Sequence, residues 1–331
     1  MSVSEPQARL AVRSVDDLVG LVPYLIGFHP EESLVALVID EGRVVVTARV
    51  DLAAVAEPVP LAALLGRLFE RYPAAEGWFL AYTEEAEFAW GVLAGCAAVV
   101  GTARLGRLLQ VGARSWRADF PEGPAGPVSG DVGAAAAEAA VLGLPARASR
   151  QELAAAVAGP PEAELSALSD RLEGVSGELS ALAGRARRRL FQRLLRTAVP
   201  PGVDDCLRLA VLASGPVEQV VAVRGLTRLN AEQQLALWTA VVRHCPPAHQ
   251  VAPLGLLGLA AWQNGDGALQ MVCLERLDLI DPTAPLAGLL DWLNAAVVPP
   301  WDWAQYRDVL VEVLATQLQA REAGSGLPFQ R

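Results

Sequence analysis

Residues 22–52 read VPYLIGFHPEESLVALVIDEGRVVVTARVDL, a single unit holding a helix end, a polar turn and two apolar strands. Upstream, Ser14 precedes the run 15–25 and Asp17 follows it in the first turn. The hydroxyl is placed to accept from a free backbone N–H, while the carboxylate reaches back and faces the positive end of the helix dipole. Leu18, Leu21, Val22 and Leu25 recur at helical spacing. Pro23 is expected to distort or stop this helix, and Gly27 to close it in a left-handed conformation. After the turn at Phe28, His29 and Pro30, residues 34–39 form an apolar, branched run too short for a typical helix. That pattern predicts a strand buried on both faces. Asp40, Glu41 and Gly42 turn the chain into a second strand, where Val44, Val46, Ala48 and Val50 share one face and Val45, Thr47, Arg49 and Asp51 the other.

Working outward, Leu61, Leu64, Leu65, Leu68 and Tyr72 define an amphipathic helix, and residues 77–83 (GWFLAYT) a third strand. Residues 88–103 are apolar and charge-free but fall short of the ~20 needed to span a bilayer, which predicts a buried helix. Residues 107–113 read as a fourth strand. A hairpin followed by strand, helix and strand implies an α/β layer with a mixed sheet. Proline and glycine dominate 119–131, read as a loop or lid. Helices follow at 134–142 and 149–158, the second with a capping box of Ser149 and Glu152. Gly159, Pro160 and Pro161 then break the chain, and beyond them every pattern is helical: 162–197 with an interruption near Gly174 or Gly177, then 204–213, 217–223, 231–245, 254–264, 268–279, 285–295 and 303–320. The expected organisation is an α/β domain at 1–158, an all-α helical-hairpin domain at 162–322 and a flexible tail at 323–331. The pair flanking Gly265 resembles one tetratricopeptide unit: Leu257, Gly258 and Pro282 fall where that repeat places them, whereas Leu254, Ala261 and Leu274 replace its large aromatic positions.

Pro23, Tyr24, Leu25, Gly27, Phe28, His29, Pro30, Ser33 and Leu34, with Thr47, Arg49 and Asp51, resemble the signature of an uncharacterised family of high-GC Gram-positive bacteria, domain of unknown function 4192. The likeness continues through Ser149, Arg150, Glu152 and Leu153 and around Gly265, Asp266 and Gly267. Many members of that family carry a cysteine-containing segment near the middle. The corresponding stretch here, SWRADFPEGPAGPVSGD, has none, so a cysteine or metal role there does not transfer. The resemblance implies a fold and no activity.

The chain has 331 residues, room for about two domains with a conventional core. Its 27 basic residues are all arginine. The absence of lysine, with abundant alanine, glycine and proline, fits GC-rich coding, and it excludes a P-loop lysine, a Schiff base to pyridoxal phosphate and a lysine general base. A formal net charge of −10 argues against a nucleic-acid binder that neutralises many phosphates. One patch departs from this: arginines at 185, 187, 188, 189, 193 and 196 on a predicted helix. They form either an exposed face paired with Asp170, Glu173 and Glu178 or an anion or nucleic-acid site. Cys96, Cys206, Cys245 and Cys273 are widely spaced and no signal peptide opens the chain, as expected of reduced thiols in a cytoplasm.

His29, with Glu31 and Glu32 following in a turn, is the candidate for acid–base work, because an imidazole titrates near neutrality. The alternative is a turn histidine satisfying backbone groups beside solvated carboxylates. Arg49 can clamp an anion through its planar fork, with Asp51 orienting and Thr47 and Tyr24 contributing to a binding face; equally, Arg49 and Asp51 can pair structurally. Trp116 between Arg114 and Arg117 suits stacking on a planar ligand, or packing over a domain edge. His244, Cys245 and His249 lack zinc spacing, and nucleophile-elbow, dinucleotide and HExxH motifs are missing, so no cofactor is named and no metal expected. Two functions fit: a binding or regulatory module acting through protein–protein contacts, or a hydrolase or transferase acting on an anionic small molecule around His29, Glu31, Arg49 and Asp51.

Overall fold

Strand β1 (Ser33–Asp40) is buried from Ser33 through Val38, as its unbroken apolar run predicts, and it pairs on both edges. In this computed structural model it lies antiparallel to β2 (Arg43–Asp51) on one side and to β3 (Glu76–Tyr82) on the other. Strand β4 (Leu105–Val111) runs parallel to β3, which requires the crossover helix α3 (Ala86–Val100). Strands β5 (Ser115–Ala118) and β6 (Ala125–Pro127) complete a mixed six-stranded sheet of order β2-β1-β3-β4-β5-β6 among the described residues. Those residues are 12, 14–119, 123–128, 134–141, 146–197 and 200–324.

Residues opposite one another in a sheet project to the same side. One face therefore carries Arg49 and Thr47, then Val35 and Leu37, Tyr82 and Leu80, Val111 and Leu109, and finally Trp116. Helix α1 (Val15–Ile26) covers this face, and the Trp116 indole N–H donates to Asp16 Oδ1 at 2.7 Å. Ser14 Oγ accepts from the Asp17 N–H at 3.0 Å, and Gly27 closes the helix at φ 80°. Helix α4 (Ala134–Val141) packs on α1 through Ala139 and Leu21. The other face is covered by α2 (Pro58–Arg71) and α3. The Phe69 ring of α2 comes so close to Gly77 that a Cβ there would sit 2.8 Å from it, and Leu61 reaches Gly95 of α3.

Four expectations change. Helix α1 continues through Pro23 to Ile26, because Pro23 is buried and tertiary packing outweighs the lost backbone bond. The alternation of β2 holds from Val46 to Asp51, but a bulge passes over Val45 and sets Val44 opposite Ile39, on the Arg49 face. β2 stands at the edge of the sheet among the described residues, which leaves Asp51 near water. Within the stretch read as loop, residues 125–127 pair with β5, which itself carries Trp116 on a strand; residues 120–122 and 129–131 lie outside the described ones.

The chain divides into Met1–Arg150 and Gln151–Arg331. The second unit is built from α5 (Arg150–Ala156), α6 (Glu162–Ser180), α7 (Gly184–Leu194), α8 (Val203–Ala213), α9 (Pro216–Gly225), α10 (Ala231–His244), α11 (Val251–Asn264), α12 (Gly267–Ile280), α13 (Pro285–Ala295) and α14 (Trp303–Glu322). Helix α6 runs unbroken past Gly174 and Gly177, since Leu172, Val175 and Leu179 keep its apolar stripe buried at a cost of about 1 kcal/mol per glycine. It stops at 181–183. Helix α11 is the core: Ala252 to Gln263 are all buried. Gly265, at φ 87°, closes it, and Asp266 caps α12 by accepting from the Leu269 N–H at 2.9 Å. Arg276 of α12 donates to the Ala158 carbonyl at 2.6 Å and to Gln250 Oε1 at 2.8 Å, which fastens the 159–161 break to this unit. The tail beyond residue 324 lies outside the described residues. No single described helix is long and apolar enough to cross a membrane; α8 and α9 pass together but bend by 107°.

Tyr82 is buried, its hydroxyl has no partner among the described residues, and burial raises its pKa. Tyr82→Phe is expected to stabilise the protein by about 1 kcal/mol, read by urea denaturation, because it removes an unsatisfied group. Burial also pushes the Cys96, Cys206 and Cys245 thiols up to about 12. Unfolded thiols ionise near about 8.5 while the native ones keep their protons, so the unfolded state binds fewer protons above that pH. Stability should be level below about pH 8 and fall towards pH 12 by up to about 1.4 kcal/mol per pH unit per thiol, measured from urea midpoints.

Candidate functional site

The carboxyl ends of β2, β3 and β4 meet the amino end of β1, the side of an open α/β sheet where ligands usually bind. Arg49 lies at this end. Its Nε donates to Ser33 Oγ at 2.9 Å, Nη2 meets Asp51 Oδ1 at 2.7 Å, and the guanidinium stands 5.7 Å from the centre of the Phe28 ring. Ser33 is fully buried and its hydroxyl donates a hydrogen bond to the Glu31 carbonyl at 2.5 Å. The Arg49 side chain is 16% exposed and that of Asp51 64%. Alternation puts both residues on one face and the register delivers Ser33 beneath them, so this cluster follows from strand geometry.

The turn leading into β1 is held from two directions. Phe28 forms a parallel bridge with Arg147: the Arg147 N–H donates to the Gly27 carbonyl at 2.9 Å and the His29 N–H to the Arg147 carbonyl at 3.0 Å. Glu32 adopts φ 41°, a left-handed conformation uncommon outside glycine. Its carboxylate accepts from the Thr83 hydroxyl at 2.8 and 3.0 Å and its carbonyl from the Leu52 N–H at 2.9 Å. Thr83 Oγ1 also accepts from the Glu85 N–H at 3.2 Å, and Gln110 Nε2 donates to the Thr83 carbonyl at 2.9 Å. Beside it, Glu84 Oε1 accepts from the Ala113 N–H at 2.6 Å.

A hydroxyl hydrogen-bonded to a carboxylate is the pairing of a nucleophile with its base. Thr83, however, is 5% exposed and its oxygen already serves three partners, so the pair locks the β1 turn to the end of β3. Among the sequence candidates, Arg49 and Asp51 meet. His29 and Glu31 are exposed, and the imidazole makes no hydrogen bond among the described residues. Tyr24 packs with Leu25 against Leu21 and Ala139. Thr47 shares the Arg49 face, half-buried. Trp116 is buried against Gly126 with its N–H taken by Asp16, and Arg117 points to the opposite side of β5. Ser33, Thr83 and Arg147 had no assigned role; Ser33 stood in the family signature, whereas Thr83 and Arg147 act through contacts distant in sequence. No group of three or more His, Cys, Asp or Glu side chains among the described residues is arranged to hold a metal ion.

Arg49→Met should destabilise by about 1–3 kcal/mol, since it takes away the donor that the buried Ser33 oxygen accepts from, leaving only the bond to the Glu31 carbonyl, and removes the guanidinium from Phe28. Asp51→Asn, at an exposed position, should cost about 1 kcal/mol or less. Chemical denaturation of both variants and their double mutant tests the asymmetry; equal losses would contradict it.

No curated protein matches the chain, and neither does any solved structure. The family model described as domain of unknown function (DUF4192) matches residues 16–301, reaching across both units. The chain belongs to the family of domain of unknown function 4192.

Proposed function

We propose that this chain is a binding or regulatory module that acts through protein–protein contacts of its helical unit. What carries the reading is apolar side chains left in water there: Leu229 is 97% exposed, Leu279 88%, Val309 65% and Trp301 51%. Two of these lie in segments that meet, because Trp303 donates to the Leu226 carbonyl at 3.0 Å and so brings the loop bearing Leu229 to the turn bearing Trp301. Exposed tryptophan is the side chain most often found at the centre of protein interfaces. The tetratricopeptide-like reading of α11 and α12, a cytoplasmic setting, a division at 159–162, and the absence of membrane and nucleic-acid partners belong to the same proposal.

A second reading is a hydrolase or transferase acting on an anionic small molecule, with His29 and Glu31 in acid–base roles beside Asp51. It is favoured by one observation, the position of Arg49 at the carboxyl ends of the strands. Against it, the Arg49 fork already serves Ser33 and Asp51.

Trp301→Asp with Leu229→Asp should leave the melting temperature within about 2 °C of the parent, as expected of exposed positions. The same variant should lose at least about tenfold in affinity for a partner identified with the parent and reconstituted from purified components. A small anion that raises the melting temperature of the parent by several degrees, and fails to do so with Arg49→Met, would establish the enzyme or ligand reading instead.

A further inference from the structure

Helix α7 carries an arrangement that the reading above does not use. Arg185, Arg188, Arg189, Arg193 and Arg196 are exposed at or just beyond this helix, and none has an ion pair or hydrogen bond among the described residues. The acidic neighbours expected to neutralise them are engaged elsewhere or unpaired: Glu178 bonds Arg208 at 2.9 Å, and the Asp170 and Glu173 carboxylates have no partner among the described residues. Phe191 and Leu194 point inward and are buried, so the arginines at 185, 189, 193 and 196 form one outward row.

Helix α6 carries a row of the same spacing that is acidic at three of its four positions. Glu162, Ser166, Asp170 and Glu173 are exposed and follow the same steps of four, four and three residues as Arg185, Arg189, Arg193 and Arg196. Each row therefore spans about 16 Å along its helix. Leu168, Leu172, Val175 and Leu179 turn the other side of α6 inward.

We propose that these two rows form an interface between two copies of this chain, with α6 of each copy against α7 of the other about a two-fold axis. This rests on the reading of the helical unit as a protein-binding surface and names its partner. A two-fold pairing sets each row opposite its complement twice, so the surface is self-complementary. Nucleic acid fits less well: it is negative along its whole length and leaves the acidic row of α6 without a complement, and the rows offer no aromatic side chain for base stacking. A membrane surface fits less well again, because the apolar side of α7 is buried inside the unit.

Sedimentation velocity of the full chain over a range of concentrations decides the matter. Dimer is expected at about 0.1 M salt and should dissociate at about 1 M, where the screening length falls from about 10 Å to about 3 Å. Arg189→Glu with Arg193→Glu, and separately Asp170→Arg with Glu173→Arg, should each weaken self-association at least about tenfold with unchanged melting temperature. Mixing the two reversed variants should restore a dimer, since each supplies the sign the other has lost. A monomer at all concentrations, a dimer indifferent to both reversals, or no recovery on mixing would overturn the proposal. So would a monomer that binds DNA or RNA through the α7 arginines. Such failures leave the Trp301 and Leu229 partner test untouched, so the two readings fall separately.

Discussion

Burial of β1 on both faces is the constraint from which the first unit follows. Leu34, Val35, Leu37 and Val38 are at most 1% exposed, each worth about 1.5–3 kcal/mol when removed from water. A strand with apolar side chains on both sides is stable only between two layers, so helices must cover both faces of the sheet, α1, with α4 packed on it, on one and α2 and α3 on the other. Its two edges must be paired as well, since an unpaired buried N–H or C=O costs about as much as a lost side-chain contact. The hairpin with β2 satisfies one edge and β3 the other. Only after β3 does the chain run parallel to its neighbour, and helix α3, charge-free after Glu87 in its first turn, is the crossover that this turn of direction demands.

What the sequence disclosed about this unit was local. Helix and strand periods are carried by residues a few positions apart, and from Val46 to Asp51 the alternation placed Arg49 and Asp51 on one face as observed. The failures are those of range and length. Strands β5 and β6 have four and three residues, and one of them ends in proline, so no period could develop. The bulge at Val45 is fixed by its pairing with β1 and has no signature in a run of three valines. In the site, Thr83 meets Glu32 across 51 positions and Arg147 meets Phe28 across the whole sheet domain, contacts that a pattern read along the chain does not contain. In the second unit, burial rather than glycine content decided where α6 stops.

The conformation of Glu32 shows how the fold holds its candidate site. A left-handed non-glycine residue costs about 1–3 kcal/mol and persists only where its surroundings over-determine it. Here the carboxylate is bonded to Thr83, the carbonyl to Leu52, and the next residue, Ser33, is held by Arg49. These bonds fix the point at which the chain leaves the His29 turn and enters β1. Arg49 is thereby a structural element of the sheet edge as much as a recognition group: the same guanidinium that sits where an anion would dock also satisfies a fully buried hydroxyl.

Arginine is used in two ways, paired in both units, as Arg171 and Arg208 show in the second, and unpaired on α7, and that contrast bears on function more than the total charge does. In the first, Arg49 and Arg107 are spent on Asp51 and Asp119, so their charge is neutralised within the unit. In the second, the row on α7 stays unpaired among the described residues although the chain carries a net charge of −10 and acidic side chains abound. At physiological salt the screening length is about 8 Å, so a distant surplus of carboxylates does not cancel a local row. Evenly mixed signs would suffice to keep such a surface soluble. Sorting them into rows on separate helices adds nothing to the stability of the isolated unit, where exposed pairs are worth about 1 kcal/mol or less. Segregation of charge instead produces a directional field, and a directional field selects the orientation in which a partner arrives.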